Sequence, residues 1–378
     1  MIHRTFRALA LLAFSAVLLL AGCDLVGSED ADTAPRTTGV IVGNSGNFSD
    51  QNGTLTLYNP GTRQARQATT LGAFLHTMRL SGDSLYVVTN TFAGGRVDVF
   101  DASSLSRTGQ AISPSTPRAV APATDDKAYV TNTSFSGGES FVALYDRGTG
   151  QFREATTRLP TMPADVLVTG GQAFVANYGS GGDGTTLSVI DVATDQVTST
   201  TELGCDGPNE LFLDAQNEIA VVCQGKTVYN QDFSEIIEQT NGQVVFVDAG
   251  SGAVINRIEL DQQVGSANGT QSAYYAAASE ELYVIDGTDT VLRFNTASNT
   301  AEGAVSVPSR TGLTGLTAVA YDAATQQLYV GRFASGAQGG PDYTSAGSVV
   351  VLNRDGSIAT SFQAGPSPGH IVLRQEAR

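Results

Sequence analysis

Side chains able to do chemistry are few in this chain of 378 residues, which holds 3 His, 3 Cys and no Trp. His76 and His370 each open a β-rich segment, and Arg118, Asp165, Glu210, Tyr274 and Thr317 take the same place in similar segments. Imidazoles among carboxylates and a guanidinium could hold a metal, act as an acid/base pair, or contact a ligand. No HxH, HExxH or CxxC pattern accompanies the histidines, and the carboxylates have no fixed ligand spacing. The reading is therefore ligand contact by His76, Arg118, Asp165, Glu210 and His370, with no metal, cofactor or catalytic residue assigned. Polar groups that merely hydrate a channel are the plain alternative.

Aromatic residues form a second set. Phe48, Phe92, Phe135, Tyr178, Tyr229, Phe233, Phe333 and Tyr343 lie in long links rich in Gly, Ser and Asn. Such a mixture suits stacking on a flat or apolar ligand with adaptable hydrogen bonding around it. Phe48, Phe92, Phe135, Tyr178, Tyr229, Phe333 and Tyr343 are expected to line the ligand site. The alternative for any one ring is packing over its neighbour. The glycine cluster Gly179–Gly184 leads into no helix, so it is not a phosphate-binding loop. Asp50 and Asp183 lie near Asn and Gly without a full calcium-ligand loop.

The elements that must position these residues follow from a repeat. A β-rich run recurs at Ile41, Tyr86, Tyr129, Phe174, Ala220, Tyr283 and Tyr329, with spacings of 45, 43, 45, 46, 63 and 46. Each run is followed by an apolar strand ending in Asp or Asn, as in Val99-Phe100-Asp101 and Val189-Ile190-Asp191. That side chain can accept backbone hydrogen bonds and fix a tight turn. Four antiparallel strands per unit at this period predict an all-β, seven-bladed propeller over 37–378. The first unit lacks its innermost strand, and Ser367–Leu373 matches the innermost strands of other units. The last strand is therefore expected to complete the first blade and close the ring. The links between second and third strands share one face, and that face is the expected working side.

The runs Tyr129-Val130-Thr131-Asn132 and Leu85-Tyr86-Val87-Val88-Thr89-Asn90 resemble the YVTN-type, YncE-like seven-bladed propellers. The resemblance covers Thr38 to Leu373 and specifies fold better than chemistry. Ala220-Val221-Val222-Cys223 and Tyr283-Val284-Ile285-Asp286 depart from it. Certain surface lipoproteins of this kind capture cobalamin for a TonB-dependent transporter, while other YVTN-like propellers resemble lactonases and His-dependent lyases acting at the channel mouth.

Arg4 and Arg7 precede the apolar run Ala8–Leu20, which closes in Leu20-Ala21-Gly22-Cys23. This resembles a bacterial lipobox and implies removal of residues 1–22 and lipidation of Cys23. Residues 23–36 read as an acidic tether. Glu29, Asp30 and Asp32 there resemble a surface-export signal. The expected location is the outer membrane, held by lipid alone and exposed at the surface, with the periplasmic face as the alternative. Cys205 and Cys223 remain. Pairing Leu213 with Glu218 brings Pro208 opposite Cys223 and Cys205 within reach, so a disulfide is expected in an oxidising envelope. Two separate thiols are the alternative. The formal charge of −16 excludes ordinary nucleic-acid binding, which needs a basic face. The combined expectation is a monomeric, non-enzymatic propeller. It would bind a small molecule or protein, such as cobalamin passed to a TonB-dependent receptor, with a mouth-sited lactonase or lyase as the alternative.

Overall fold

The apolar runs that recur through the sequence become the second strand of each blade, and both of their faces are buried. Leu85 and Val87 pack towards one neighbouring blade, while Tyr86 and Val88 pack towards the other. Period-2 alternation explains this: a strand sandwiched between two sheets needs apolar residues on both sides. The computed structural model describes residues 34–113, 115–133, 140–266 and 271–376. Cys23, residues 1–33 and Phe135 lie outside them.

Seven sheets of four antiparallel strands form the ring; the last adds the short strand Pro341–Asp342. Blade one runs from Gln64–Thr70 at the rim through Thr54–Asn59 and Arg36–Asn44 to Pro368–Glu376 at the centre. Its inner register pairs Ile41 with Val372 and Gly43 with His370, so the C-terminal strand completes the first blade. The other inner strands are Phe74–Ser81, Thr116–Pro122, Pro163–Thr169, Pro208–Leu213, Ala273–Ala276 and Leu313–Asp322. Seven apolar clusters fill the seven gaps between blades, including that between blades seven and one, where Val40, Tyr329, Phe362 and Ile371 meet.

The turn between the third and fourth strands is built as its sequence suggests. Asp101 accepts from Ser103 N and Ser104 N, Asp146 from Thr149 N, Asp191 from Thr194 N and Asp248 from Ser251 N. Gly150 and Gly252 take the positive φ that these turns require, 69° and 72°. The Thr and Asn near the ends of the second strands, as in Thr131-Asn132 and Ala176-Asn177, have a structural task. Thr131 Oγ1 accepts from Ala119 N and donates to the Ala164 carbonyl of the next blade, each at 2.9 Å. Asn177 Nδ2 donates to Thr186 Oγ1 and Ser188 Oγ.

The long link 224–242 in blade five carries its own hairpin, Thr227–Tyr229 paired with Ile236–Gln239. At its base Cys205 and Cys223 are joined by a disulfide. Pro208 stands opposite Cys223 in the strand register.

Candidate functional site

The inner strands enter the ring at one end of the central channel, and most of them bulge there. Register shifts fall between Leu75 and Thr77, Pro117 and Val120, Pro163 and Val166, and Pro208 and Glu210. Pro117, Pro163, Pro208 and Pro368 lie at strand starts, where a missing N–H costs no ladder bond. A bulge re-aims a side chain, and His76, Arg118 and Asp165 sit within these bulges. Together with Glu210 and His370 they line one cavity of about 450 Å³.

The bonds between these groups run mostly around the ring, from blade to blade. His370 Nε2 lies 2.8 Å from the His76 carbonyl, so it donates. Arg118 donates Nε–H to His76 Nε2 at 3.3 Å. Asp165 accepts from Val166 N at 2.8 Å and from Leu211 N at 3.1 Å. Glu210 accepts from Ser272 N at 2.6 Å, from the Ser272 hydroxyl, and from Ala273 N at 3.3 Å. Thr317 Oγ1 donates to the Pro368 carbonyl at 2.6 Å. Much of the expected ligand-contact set is thus engaged in holding the inner ends of the blades together.

Sequence reasoning missed two members of this belt. Arg79 reaches across from blade two to Asp165 in blade four at 2.9 Å. Gln271 Oε1 accepts from Ile371 N at 2.8 Å. The signal for Arg79 was available: an arginine in the middle of an innermost strand faces the channel and needs a counter-charge there.

Burial sets the charge states. It pushes the Glu210 carboxyl up to about 8, against the pull of its Ser272 bonds. It brings His370 down to about 4 and drives His76 well below its ordinary value, helped there by the Arg118 charge. Both imidazoles are therefore neutral near pH 7. Burial raises Asp165 while Arg79 pulls it back, and it lowers Arg118. Among the described residues no three His, Cys, Asp or Glu converge as a metal-ligand set.

The expected aromatic set divides. Phe48 and Phe92, in the links between second and third strands of blades one and two, meet edge to face at 4.8 Å and are 43% and 68% exposed. The link carrying Phe48 is fixed, because Ser45 N–H donates to the Ser367 carbonyl and Leu75 N–H to that of Ser45. Tyr178 lies beneath Arg118, whose guanidinium carbon is 5.5 Å from the ring centre. Tyr229 and Phe233 project from the blade-five hairpin beside Ile236 and Ile237, all exposed. Tyr343 is part exposed and meets Phe333 edge-on at 5.0 Å. Phe333 itself is fully buried, so it packs the scaffold and offers no ring to a ligand. Asp50 and Asp183 close local turns, with Asp183 accepting from Ser180 N.

This architecture defines a class: a closed seven-bladed β-propeller whose channel is lined by charged and polar side chains at the starts of its inner strands. No protein-family model and no curated protein matches the chain. Solved structures share its fold. A quinonprotein alcohol dehydrogenase-like protein from Bacteroides thetaiotaomicron is 12% identical, with a TM-score of 0.64 over 89% of this chain and 78% of that one. A functionally unknown protein from Desulfotomaculum acetoxidans is 13% identical, with a TM-score of 0.62 over 90% and 100%. A hypothetical selenium-binding protein from Sulfolobus tokodaii is 10% identical, also at 0.62, over 90% and 94%. At these identities the likeness is one of fold.

Proposed function

We propose that this chain is a non-enzymatic binding propeller, anchored by lipid on Cys23 in the outer membrane, that takes its ligand on the long-loop face above the channel mouth. The observation that carries the reading is the exposed Phe48–Phe92 pair on the long-loop face, with the link that bears Phe48 held by backbone bonds at Ser45. Two large rings left in water on a rigid frame suit a ligand that covers them. A flat macrocycle such as a corrinoid, handed on to a TonB-dependent receptor, is the specific form of this proposal. The hairpin bearing Tyr229, Phe233, Ile236 and Ile237 suits the protein partner.

Calorimetric titration with cyanocobalamin tests it. The Phe48→Ala/Phe92→Ala pair is expected to weaken binding by at least about tenfold, the usual cost of losing anchoring rings. A wild-type protein that binds no corrinoid retires that ligand. Mass spectrometry finding an unmodified Cys23 in the mature protein retires the anchor.

The enzyme alternative draws on Glu210, whose carboxyl near 8 could exchange protons at neutral pH. Its oxygens are already engaged by Ser272 and Ala273. In a lactonase or lyase, replacing His76 and His370 together abolishes turnover and spares substrate binding; in a binding module it reduces affinity at most.

A further inference from the structure

The charged groups of the channel mouth do not balance evenly. Arg79 has Asp165 as counter-ion at 2.9 Å. Asp165 and Glu210 also take backbone N–H groups from the next inner strand. Among the described residues Arg118 has no carboxylate partner. Among the described residues its protein contacts are the His76 Nε2 atom and the face of Tyr178. A guanidinium carries five N–H groups, and Nε–H is the one used here; the four on its η nitrogens meet no acceptor among the described residues. Its neighbours add no negative charge, since His76 and His370 are neutral. A half-buried cation left in this way is costly unless something else completes its bonding.

We propose that the channel mouth binds the carboxylate of an organic monoanion, with the Arg118 η nitrogens as the fork that receives it; this deepens the reading of this face as the binding face. The geometry of guanidinium and carboxylate is matched for two parallel N–H···O bonds. One uncompensated cation balances one negative charge. A dianion such as phosphate would bring a second charge into a mouth that already holds Asp165 and into a chain of formal charge −16. Below the polar belt, Leu167, Phe212, Leu213 and Val372 line the same cavity and suit an apolar body attached to the carboxylate.

The test uses butyrate and benzoate as probes at constant ionic strength, followed through the Arg118 Nε–H resonance and by calorimetry. Saturable binding is expected, with dissociation constants of about a millimolar for so small a contact. Arg118→Gln is expected to weaken it at least tenfold. Arg118→Lys keeps the charge without the fork and should fall between. Asp126→Ala, in a short turn of the opposite face, should leave it unchanged. Three results would overturn the proposal: no saturable shift of Arg118 by either probe, equal affinity in the wild type and both Arg118 variants, or phosphate and chloride bound as tightly as the carboxylates. The direct resonance shift in the wild type serves even if a variant fails to fold. Failure of cyanocobalamin to bind does not touch this measurement, because the probe is the small carboxylate alone.

Discussion

At the scale of single residues, the mouth shows how one side chain can be structural and chemical at once. Glu210 ties blade five to blade six through Ser272 and Ala273, yet burial holds its carboxyl near 8. Its pKa is raised on folding, so its stabilising share is complete below its ordinary value of 4.5 and is lost as pH rises through about 8. The slope in that window is at most about 1.4 kcal/mol per pH unit. His370 runs the other way: its pKa is lowered, so its share is present above 6.5 and is lost as pH falls through about 4. Urea unfolding between about pH 6.5 and about pH 8.5 is therefore governed mainly by Glu210, with a smaller opposing share from His76 and His370 near the lower end. Wild-type stability is expected to drop by about 1–2 kcal/mol across that interval, and Glu210→Gln to flatten the drop. Equal slopes in the two proteins would refute this account. The residue types at the mouth were legible in the sequence because the repeat fixes where each inner strand begins. Their partners were not: the Arg79–Asp165 pair joins blades two apart, and no spacing along the chain encodes a contact across a channel.

At the scale of elements, local chemistry was the most readable. Blade three shows the four strands per unit that the repeat predicts, Thr116–Pro122, Lys127–Thr133, Phe141–Asp146 and Gln151–Arg158. Buried second strands and Asp-closed turns have strong sequence signatures because period-2 burial and backbone-accepting side chains act over a few residues. Phe333 shows the limit. Its position at the start of a long link suggested exposure, but its strand runs on to Ser335 and carries the ring inward. The hairpin of blade five is pinned at its base by the Cys205–Cys223 bond, which closes a loop of sequence separation 18. Such a loop is worth about 2–3 kcal/mol through the unfolded chain. Reducing agent is expected to lower the melting temperature of the wild type and to leave Cys205→Ala/Cys223→Ala unmoved. A wild-type protein indifferent to reduction would show that the bond contributes nothing.

At the scale of the whole molecule, each blade is held by its two neighbours, and blade one alone is assembled from distant parts of the chain. Deleting Gly369–Arg378 removes Ile371 and Leu373 from the gap between blades seven and one. That burial alone is worth about 3–6 kcal/mol. The loss also unpairs Arg36–Asn44 along its inner edge. The truncated protein is expected to melt far below the full chain, and equal melting curves would rule out closure as a source of stability. The same pairing has a consequence in time. Arg36–Asn44 is synthesised well before its partner Pro368–Glu376, so Arg36 must wait for Glu376. At synthesis rates of about 5–20 residues per second, that wait is tens of seconds. Six blades can pack against one another meanwhile, but the first blade keeps an open edge until Pro368–Glu376 arrives. A ring that lacks this strand is thus unable to lock into its final shape, so closure is the step that turns a stack of blades into a fixed body.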